Sequence, residues 1–453
     1  MGGVVEGEGF PQTGGAVRRR ASVALGFLAL IALGAIVLAC PWARADGAWG
    51  GVMTSLFTAC SAVCVTGLTV VEISTEFSFA GQIVLLTLVE IGCLGLITCG
   101  TFLLIAVGRR ISLSSEFSLM NAYGVAEVRG LRGLVAWTVC STLAIEVAFA
   151  SFLYWRMGDV YRSVFYSVMS FCNAGFSIDP GSLSAFAGDP WTVTAMAIET
   201  IVGGIGFLVV YNLCTCRLRR RRSGDRSRLS LHTRVVLRFT VYLLAIAFAA
   251  FLLLEWNGVL RGYDGWQKLW VAFYQSVTPR TCGFCIVPTE SLKPLTRLVY
   301  ECLMTIGGAP GSAAAGMKVT TLAVLVYTIT AMCRGERETV ISRRMIPYDV
   351  VRESIVIAIA IVAFIAFVTG ALLATESGSG ISSGAIFFEA VSAITTTGLS
   401  VGDTTQSLSS AGRGVVMVAM FMGRLGALSV VMLIGDRESN KSVRFPSEEI
   451  VVG

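Results

Sequence analysis

The chain has 453 residues, 55% hydrophobic and 14% charged, with a mean hydropathy of +0.74 and a formal net charge of +6. That composition lies far outside the soluble globular range and marks an integral membrane protein of all-α class. One histidine, His232 in a basic loop, excludes HExxH zinc chemistry, and neither GxGxxG nor a Walker A sequence occurs, so no nucleotide site and no catalytic constellation is in view.

In chain order, Arg18, Arg19 and Arg20 precede an uncharged run from Ala21 to Cys40, longer than the core of a cleaved signal and read as the first membrane helix. Gly50–Val63 is then too short to cross a bilayer, which needs roughly 20 residues, and Phe79–Val107 reads as a long inner helix. The same order returns as Leu134–Trp155, Val160–Cys172 and Trp191–Cys216, and as Val235–Trp256, Gly265–Val277 and an interrupted Leu298–Met332. A fourth round has Ile355–Thr375, Gly384–Ile394 and Val415–Ile434.

Each short stretch ends in a polar run closing on a glycine and a large apolar residue: AVCVTGL, FCNAGF, PRTCGF and ITTTGL. The glycines Gly67, Gly175, Gly283 and Gly398 stand 108, 108 and 115 residues apart. This is an internal repeat. Non-helical backbone at membrane depth is tolerated only where it packs in protein or faces water, so four re-entrant segments predict a shared aqueous centre lined by backbone carbonyls, as a cation path requires. The expected fold is eight transmembrane helices in four helix/pore-loop/helix repeats. Its divisions are an N-terminal segment 1–20, pore repeats 21–110, 111–216, 217–333 (opening with a basic loop) and 334–435, and a C-terminal tail 436–453.

Lys and Arg crowd the two chain ends and the loops beginning at Gly108, Arg217 and Cys333, which the positive-inside rule makes cytoplasmic. Within them Arg217–Arg228 is a topology signal, or alternatively a contact for anionic lipid headgroups or an acidic partner. Arg424 stands amid apolar residues of the fourth inner helix. A charge there must face a cavity or a carboxylate, either as a fixed positive charge below the filter or as an ion pair with Glu90 or Glu199. The third inner segment is interrupted by GGAPGSAAAG, in which Gly307, Gly308, Pro310, Gly311 and Gly316 oppose a continuous helix. The readings are a gating loop or a kinked helix. Gly92 and Gly95, Gly203 and Gly206, and Gly423 and Gly426 read as helix-packing glycines, and the 13 cysteines as small core residues.

With these motifs assembled, the chain resembles the Trk/Ktr/HKT superfamily of potassium transporters, most closely the KtrB-type ion-translocating subunit. AVCVTGL, CNAGF, PRTCGF, TTTGL, GGAPGSAAAG, Arg424 and the ending FPSEEIVVG carry the resemblance over nearly the whole chain. It implies a K⁺ filter built from Val65, Thr66 and Gly67, Asn173, Ala174 and Gly175, Thr281, Cys282 and Gly283, and Thr396, Thr397 and Gly398. It also implies a gate at Gly307–Gly316 with Arg424, and a plasma-membrane protein with both termini cytoplasmic. The implied partners are a second copy in a homodimer, membrane lipids and a KtrA-like RCK ring that carries the nucleotide; nucleic acid is not expected. Cys64, Cys172 and Cys282 near the filter, and Ala174 in place of a polar residue, make that filter asymmetric. Na⁺ thus stays an alternative ion, and Na⁺- or H⁺-coupled symport through Glu90, Glu146 or Glu199 an alternative mode.

Overall fold

Polar caps punctuate the apolar runs and set where helices begin. The computed structural model describes residues 14–95, 98, 131–223 and 229–426. Helices of more than ten residues are numbered here in chain order: α1 Gly14–Ala39, α2 Val52–Val63, α3 Phe79–Leu94, α4 Leu131–Met157, α5 Val160–Cys172, α6 Pro190–Ile205, α7 Phe207–Ser223, α8 Leu231–Glu255, α9 Gly265–Val277, α10 Pro294–Thr305, α11 Val319–Cys333, α12 Tyr348–Thr375, α13 Ser383–Ile394 and α14 Ser410–Leu425. The expected N-terminal segment up to residue 13, the first inner helix beyond Gly95 apart from Thr98, the loop beginning at Gly108, the basic loop from 224 to 228, the far end of the fourth inner helix and the tail 436–453 lie outside the described residues.

Three helices, Gly133–Met157, Leu231–Glu255 and Tyr348–Thr375, are long and apolar enough to cross a membrane, and α6 with α7 makes a fourth if that bent pair is one span. Their outward faces suit lipid: Leu253, Val362 and Phe367 are exposed, as are Trp155, Trp191 and Trp266 near helix ends, where an interfacial aromatic belt would sit.

The four short helices α2, α5, α9 and α13 form the interior. At 12 or 13 residues each they span about 18–20 Å, roughly half a bilayer. Asp159 starts α5 by accepting from the Arg162 amide at 3.1 Å, Asp264 and Gln267 form a reciprocal capping box on α9, and Ser382 accepts from the Ala385 amide at 3.2 Å on α13. Each short helix packs on the helix before it; α2, α5 and α13 also pack on the helix after, while α9 is joined to α10 by the Tyr300 hydroxyl donating to Gln275 O at 2.7 Å, and the following helix reaches the next short one: α3 on α5, α6 on α9, α10 on α13, and α14 back on α2. The pattern closes into a ring.

Three features depart from expectation. The second inner helix is not continuous over Trp191–Cys216. It bends by 96° between α6 and α7 at Gly206, whose φ is +85°. The Phe207 amide donates there to Gly311 O at 3.0 Å, and a Cβ at Gly206 would lie 2.9 Å from Pro310 O; the glycine-rich loop between α10 and α11 thus occupies the space a straight helix would take. Likewise α3 and α14 end at Gly95 and Gly426, with φ of +82° and +84°, so these glycines break helices, whereas Gly92, Gly203 and Gly423 are packing positions. A Cβ on those three would fall 2.3, 1.9 and 2.0 Å from the carbonyl oxygens of Val63, Phe171 and Ile394. Finally the all-α expectation misses a hairpin, Val340–Ile341 with Arg344–Met345, turned by Ser342 and Arg343 at φ +51° and +64°, the left-handed pair that a two-residue hairpin demands.

Candidate functional site: a ring of four glycine segments

The short helices run toward one another and end where the polar segments begin, so their C-terminal dipole ends, each worth about half a negative charge, face a common centre. In every segment the left-handed conformation occurs twice, at alternate residues: Val65 and Gly67, Asn173 and Gly175, Thr281 and Gly283, Thr396 and Gly398. A β-branched residue at positive φ is rare and costs about 1–3 kcal/mol, yet Val65, Thr281 and Thr396 all hold it. The chain turns back on its own helix, with Thr66 N donating to Ser61 O at 2.8 Å, Ala174 N to Met169 O at 2.9 Å and Thr397 N to Ser392 O at 2.9 Å. The third segment differs, with Cys282 N donating to Thr278 O at 3.1 Å.

These bonds consume amide donors and leave acceptors over. Among the described residues no hydrogen bond ends on the carbonyls of Val65–Gly67, Asn173–Gly175, Thr281–Gly283 or Thr396–Gly398, and the buried hydroxyls of Thr66, Thr281 and Thr396 also lack partners. Asn173 contributes backbone only, because its side-chain amide lies between acceptors: with its nitrogen turned toward them it donates to Ser170 O at 3.0 Å and Thr200 O at 3.2 Å. Such a surplus of oxygens with no donor suits a cation.

The segments abut in order around the centre. A Cβ on Gly67 would lie 2.1 Å from Ala174 O; on Gly175, 2.8 Å from Gly283 Cα; on Gly283, 2.6 Å from Thr397 O; and on Gly398, 2.0 Å from Thr66 O. The structure therefore brings all four predicted segments together, each touching the next. Outside them opens a cavity of about 610 Å³ whose walls include the four glycines and Glu72, Asp179, Glu290 and Asp403. One carboxylate follows each glycine segment in the chain. Asp179 is partly offset by Arg162 at 2.6 Å. The pattern is present in the sequence as an acid four to seven residues beyond each of the four glycines.

On the opposite side of the ring a cavity of about 290 Å³ is walled by Gly92, Thr98, Gly311, Ser312, Lys318 and Arg424, among others. The interruption here is a loop and not a kinked helix. Ile306 and Met317 bridge in parallel, Gly307 N donates to Met317 O at 2.9 Å, and Ala309 N donates to Gly204 O of α6 at 3.0 Å. Gly307, Gly308, Pro310 and Gly311 all lie in this loop, and Gly316 closes it at φ +73°.

Arg424 does not pair with Glu90 or Glu199. Its guanidinium donates to Ala313 O of the loop at 2.5 Å, to Gly92 O and, at 3.3 Å, to Cys93 O of α3. The oxygens left over where the loop and α3 stop being helical take the charge, so no carboxylate is needed. Lys318, which the sequence reading overlooked despite its place between the glycine-rich run and an apolar helix, donates to Ala314 O at 2.5 Å on the same cavity. Cys282 and Cys285 form a C-x-x-C pair that the core-residue reading passed over; both are free thiols.

The family model described as TrkH, cation transport protein, matches residues 33–444. A Bacillus subtilis protein named Ktr system potassium uptake protein B is 33% identical, covering 95% of this chain and 96% of its own length. An Enterococcus hirae protein named potassium/sodium uptake protein NtpJ is 31% identical over 96% and 98%. The crystal structure of the potassium transporter TrkH from Vibrio parahaemolyticus superposes with a TM-score of 0.75 over 92% of this chain and 85% of that one, at 16% identity, which establishes a shared fold.

Proposed function

The chain belongs to the TrkH family of cation transport proteins, and from that membership we propose that it is the ion-translocating subunit of a potassium uptake system. K⁺ enters the outer cavity, loses water to the carbonyls of the four glycine segments and passes inward past the loop at Gly307–Gly316. The observation that carries this reading is the closed ring of carbonyls free of hydrogen-bond donors, at the convergence of four helix C-termini. Val65 to Gly67, Asn173 to Gly175, Thr281 to Gly283 and Thr396 to Gly398 form the filter in this account. The loop, Lys318 and Arg424 form the barrier below it, positive charge and ordered backbone both opposing passage until the loop moves.

The finer topology proposed is eight spans in four repeats, with both termini cytoplasmic in the plasma membrane, assembled as a homodimer on a cytoplasmic RCK ring that binds nucleotide. Support for the assembly comes from the relatives, whose names assign them to a Ktr system. Rubidium uptake in a host lacking its own K⁺ uptake, with and without an RCK subunit, tests the proposal. Uptake that requires this chain and rises with the RCK subunit is expected; no uptake from well-expressed protein refutes it.

A second reading, symport coupled to Na⁺ or H⁺, is favoured by one feature: Glu146 and Glu199 lie buried beside α5, Ser167 Oγ meeting the Glu199 carboxylate and the main-chain O of Glu146, and Glu90 reaches the end of the same helix. The name of the Enterococcus relative also couples potassium with sodium. Reversal potentials in proteoliposomes separate the modes, because a uniporter follows the K⁺ gradient alone.

A further inference from the structure

Beside the second glycine segment, three side chains from three helices converge: Glu90 of α3, Glu146 of α4 and Cys172 in the last turn of α5. One ligand atom from each lies within 4.8 Å of the other two. The Cys172 thiol donates to Glu90 Oε2 at 3.2 Å. Glu146 is only 5% exposed, and its Oε1, like Oε1 of Glu90, is buried with no hydrogen-bond partner among the described residues.

No cation offsets these carboxylates. Among the described residues neither makes a salt bridge, and Arg424, which reaches the same turn of α3, is taken up by carbonyl oxygens. Two carboxylates held together inside the protein, with acceptor capacity unused and no positive side chain, are unfavourable unless protons or a bound cation neutralise them. The thiol decides which cation. K⁺, Na⁺, Ca²⁺ and Mg²⁺ prefer oxygen alone, whereas sulfur beside carboxylates suits a borderline-soft divalent ion, and three protein ligands leave the fourth position of a tetrahedron open.

Size agrees. With metal–oxygen and metal–sulfur distances of about 2.1 and 2.3 Å, two ligands of a tetrahedral ion stand about 3.4–3.6 Å apart, so a cluster inside 4.8 Å has to close by at most about 1.4 Å, within the reach of side-chain torsions. The surrounding helices are already tied, since Ser167 Oγ of α5 lies 2.9 Å from the main-chain O of Glu146 and 2.5 Å from Glu199 Oε1, its single proton shared between these acceptors of α4 and α6.

We infer that Glu90, Glu146 and Cys172 bind one thiophilic divalent cation of the zinc class, at a site separate from the ring of carbonyls. Binding converts the Cys172 thiol to a thiolate and releases its proton, with any carboxylate proton, to solvent. The ion tethers α3, α4 and α5 one residue before Asn173, where the second segment leaves its helix.

The test uses the purified full chain in detergent with Cd²⁺ as probe. Wild-type protein is expected to bind one tight equivalent, to show the ultraviolet charge-transfer band of a cadmium thiolate, and to melt at a higher temperature with the ion. Zn²⁺ should displace it. Cys172→Ser should lose the band, and Glu146→Gln should weaken binding by about tenfold or more, whereas Cys302→Ser, at an exposed thiol, should change neither. Absence of tight binding, an unaltered band and affinity in Cys172→Ser and Glu146→Gln, or loss of the band in Cys302→Ser would each overturn the inference. If Cys172→Ser does not fold, Glu90→Gln and Glu146→Gln carry the test through affinity and melting shift. None of these readouts involves transport, so a failure here leaves the transport reading standing.

Discussion

Replacing Gly398 by serine puts a side chain where the fourth segment meets the first. The new Cβ would lie 2.0 Å from Thr66 O, against the 3.0 Å below which real Cβ contacts essentially never fall, so the two segments must part by at least 3.0 − 2.0 = 1.0 Å. The serine must also hold a φ of +84°, at a cost of about 1–3 kcal/mol. That strain is concentrated on a carbonyl that borders the proposed ion path. A filter that prefers K⁺ does so through the number and placement of its carbonyls, and displacing one by an ångström should cost it about a tenfold preference over Na⁺, or about 1.4 kcal/mol.

The assay is the K⁺/Na⁺ permeability ratio from reversal potentials in proteoliposomes, with rubidium uptake in parallel. Gly67→Ser, at 2.1 Å from Ala174 O, should behave alike. Gly175→Ser, whose nearest contact is 2.8 Å, should be milder. Gly378→Ser, with nothing within 4 Å, should match wild type. An unchanged ratio in folded Gly398→Ser and Gly67→Ser would remove these glycines from the ion path.

Arg424→Gln and Arg424→Ala should speed rubidium uptake severalfold while Arg424→Lys stays near wild type, because a positive charge on a narrow low-dielectric cavity repels a passing cation; lost thermal stability with no gain in flux would make it a structural clamp on the loop instead. Deleting Ala309–Ala315 should raise flux and weaken its dependence on the RCK subunit, since it removes backbone now bonded to α6 and to Arg424; a well-folded deletion that transports no faster refutes the gate. Neutralising Glu72 or Asp403 should raise the KM for K⁺ without changing the maximal rate, and the effect should fade with added salt. Asp179→Asn should do less because Arg162 already offsets it, and equal effects at low and high ionic strength would exclude electrostatic focusing. Gly203→Ala should destabilise by about 1–3 kcal/mol, since its Cβ would stand 1.9 Å from Phe171 O; an unchanged melting temperature in detergent would contradict the close packing of α6 on α5.

Much of this protein is legible in its sequence, because a bilayer imposes a strict rule: apolar runs either cross or turn back, and a glycine must stand where backbone bends at membrane depth. The stretches before Gly67, Gly175, Gly283 and Gly398 are too short to cross, and their spacing announces a repeat, so the candidate filter could be listed residue by residue. Periodicity is a local signal, however, and says nothing of what lies across the molecule. Gly206 looks like any packing glycine until the loop between α10 and α11, bonded to Phe207 N, takes the space ahead of it and a largely apolar stretch turns through 96°. Arg424 invites a search for a carboxylate, but its partners are carbonyls of Gly92, Cys93 and Ala313, acceptors that every residue carries and that only broken helices release. The four outer acids, and the meeting of Glu90, Glu146 and Cys172 from helices scattered over more than eighty residues, likewise exist only once the ring closes. Local backbone chemistry wrote the segments, and tertiary packing decided which of their polar groups face one another.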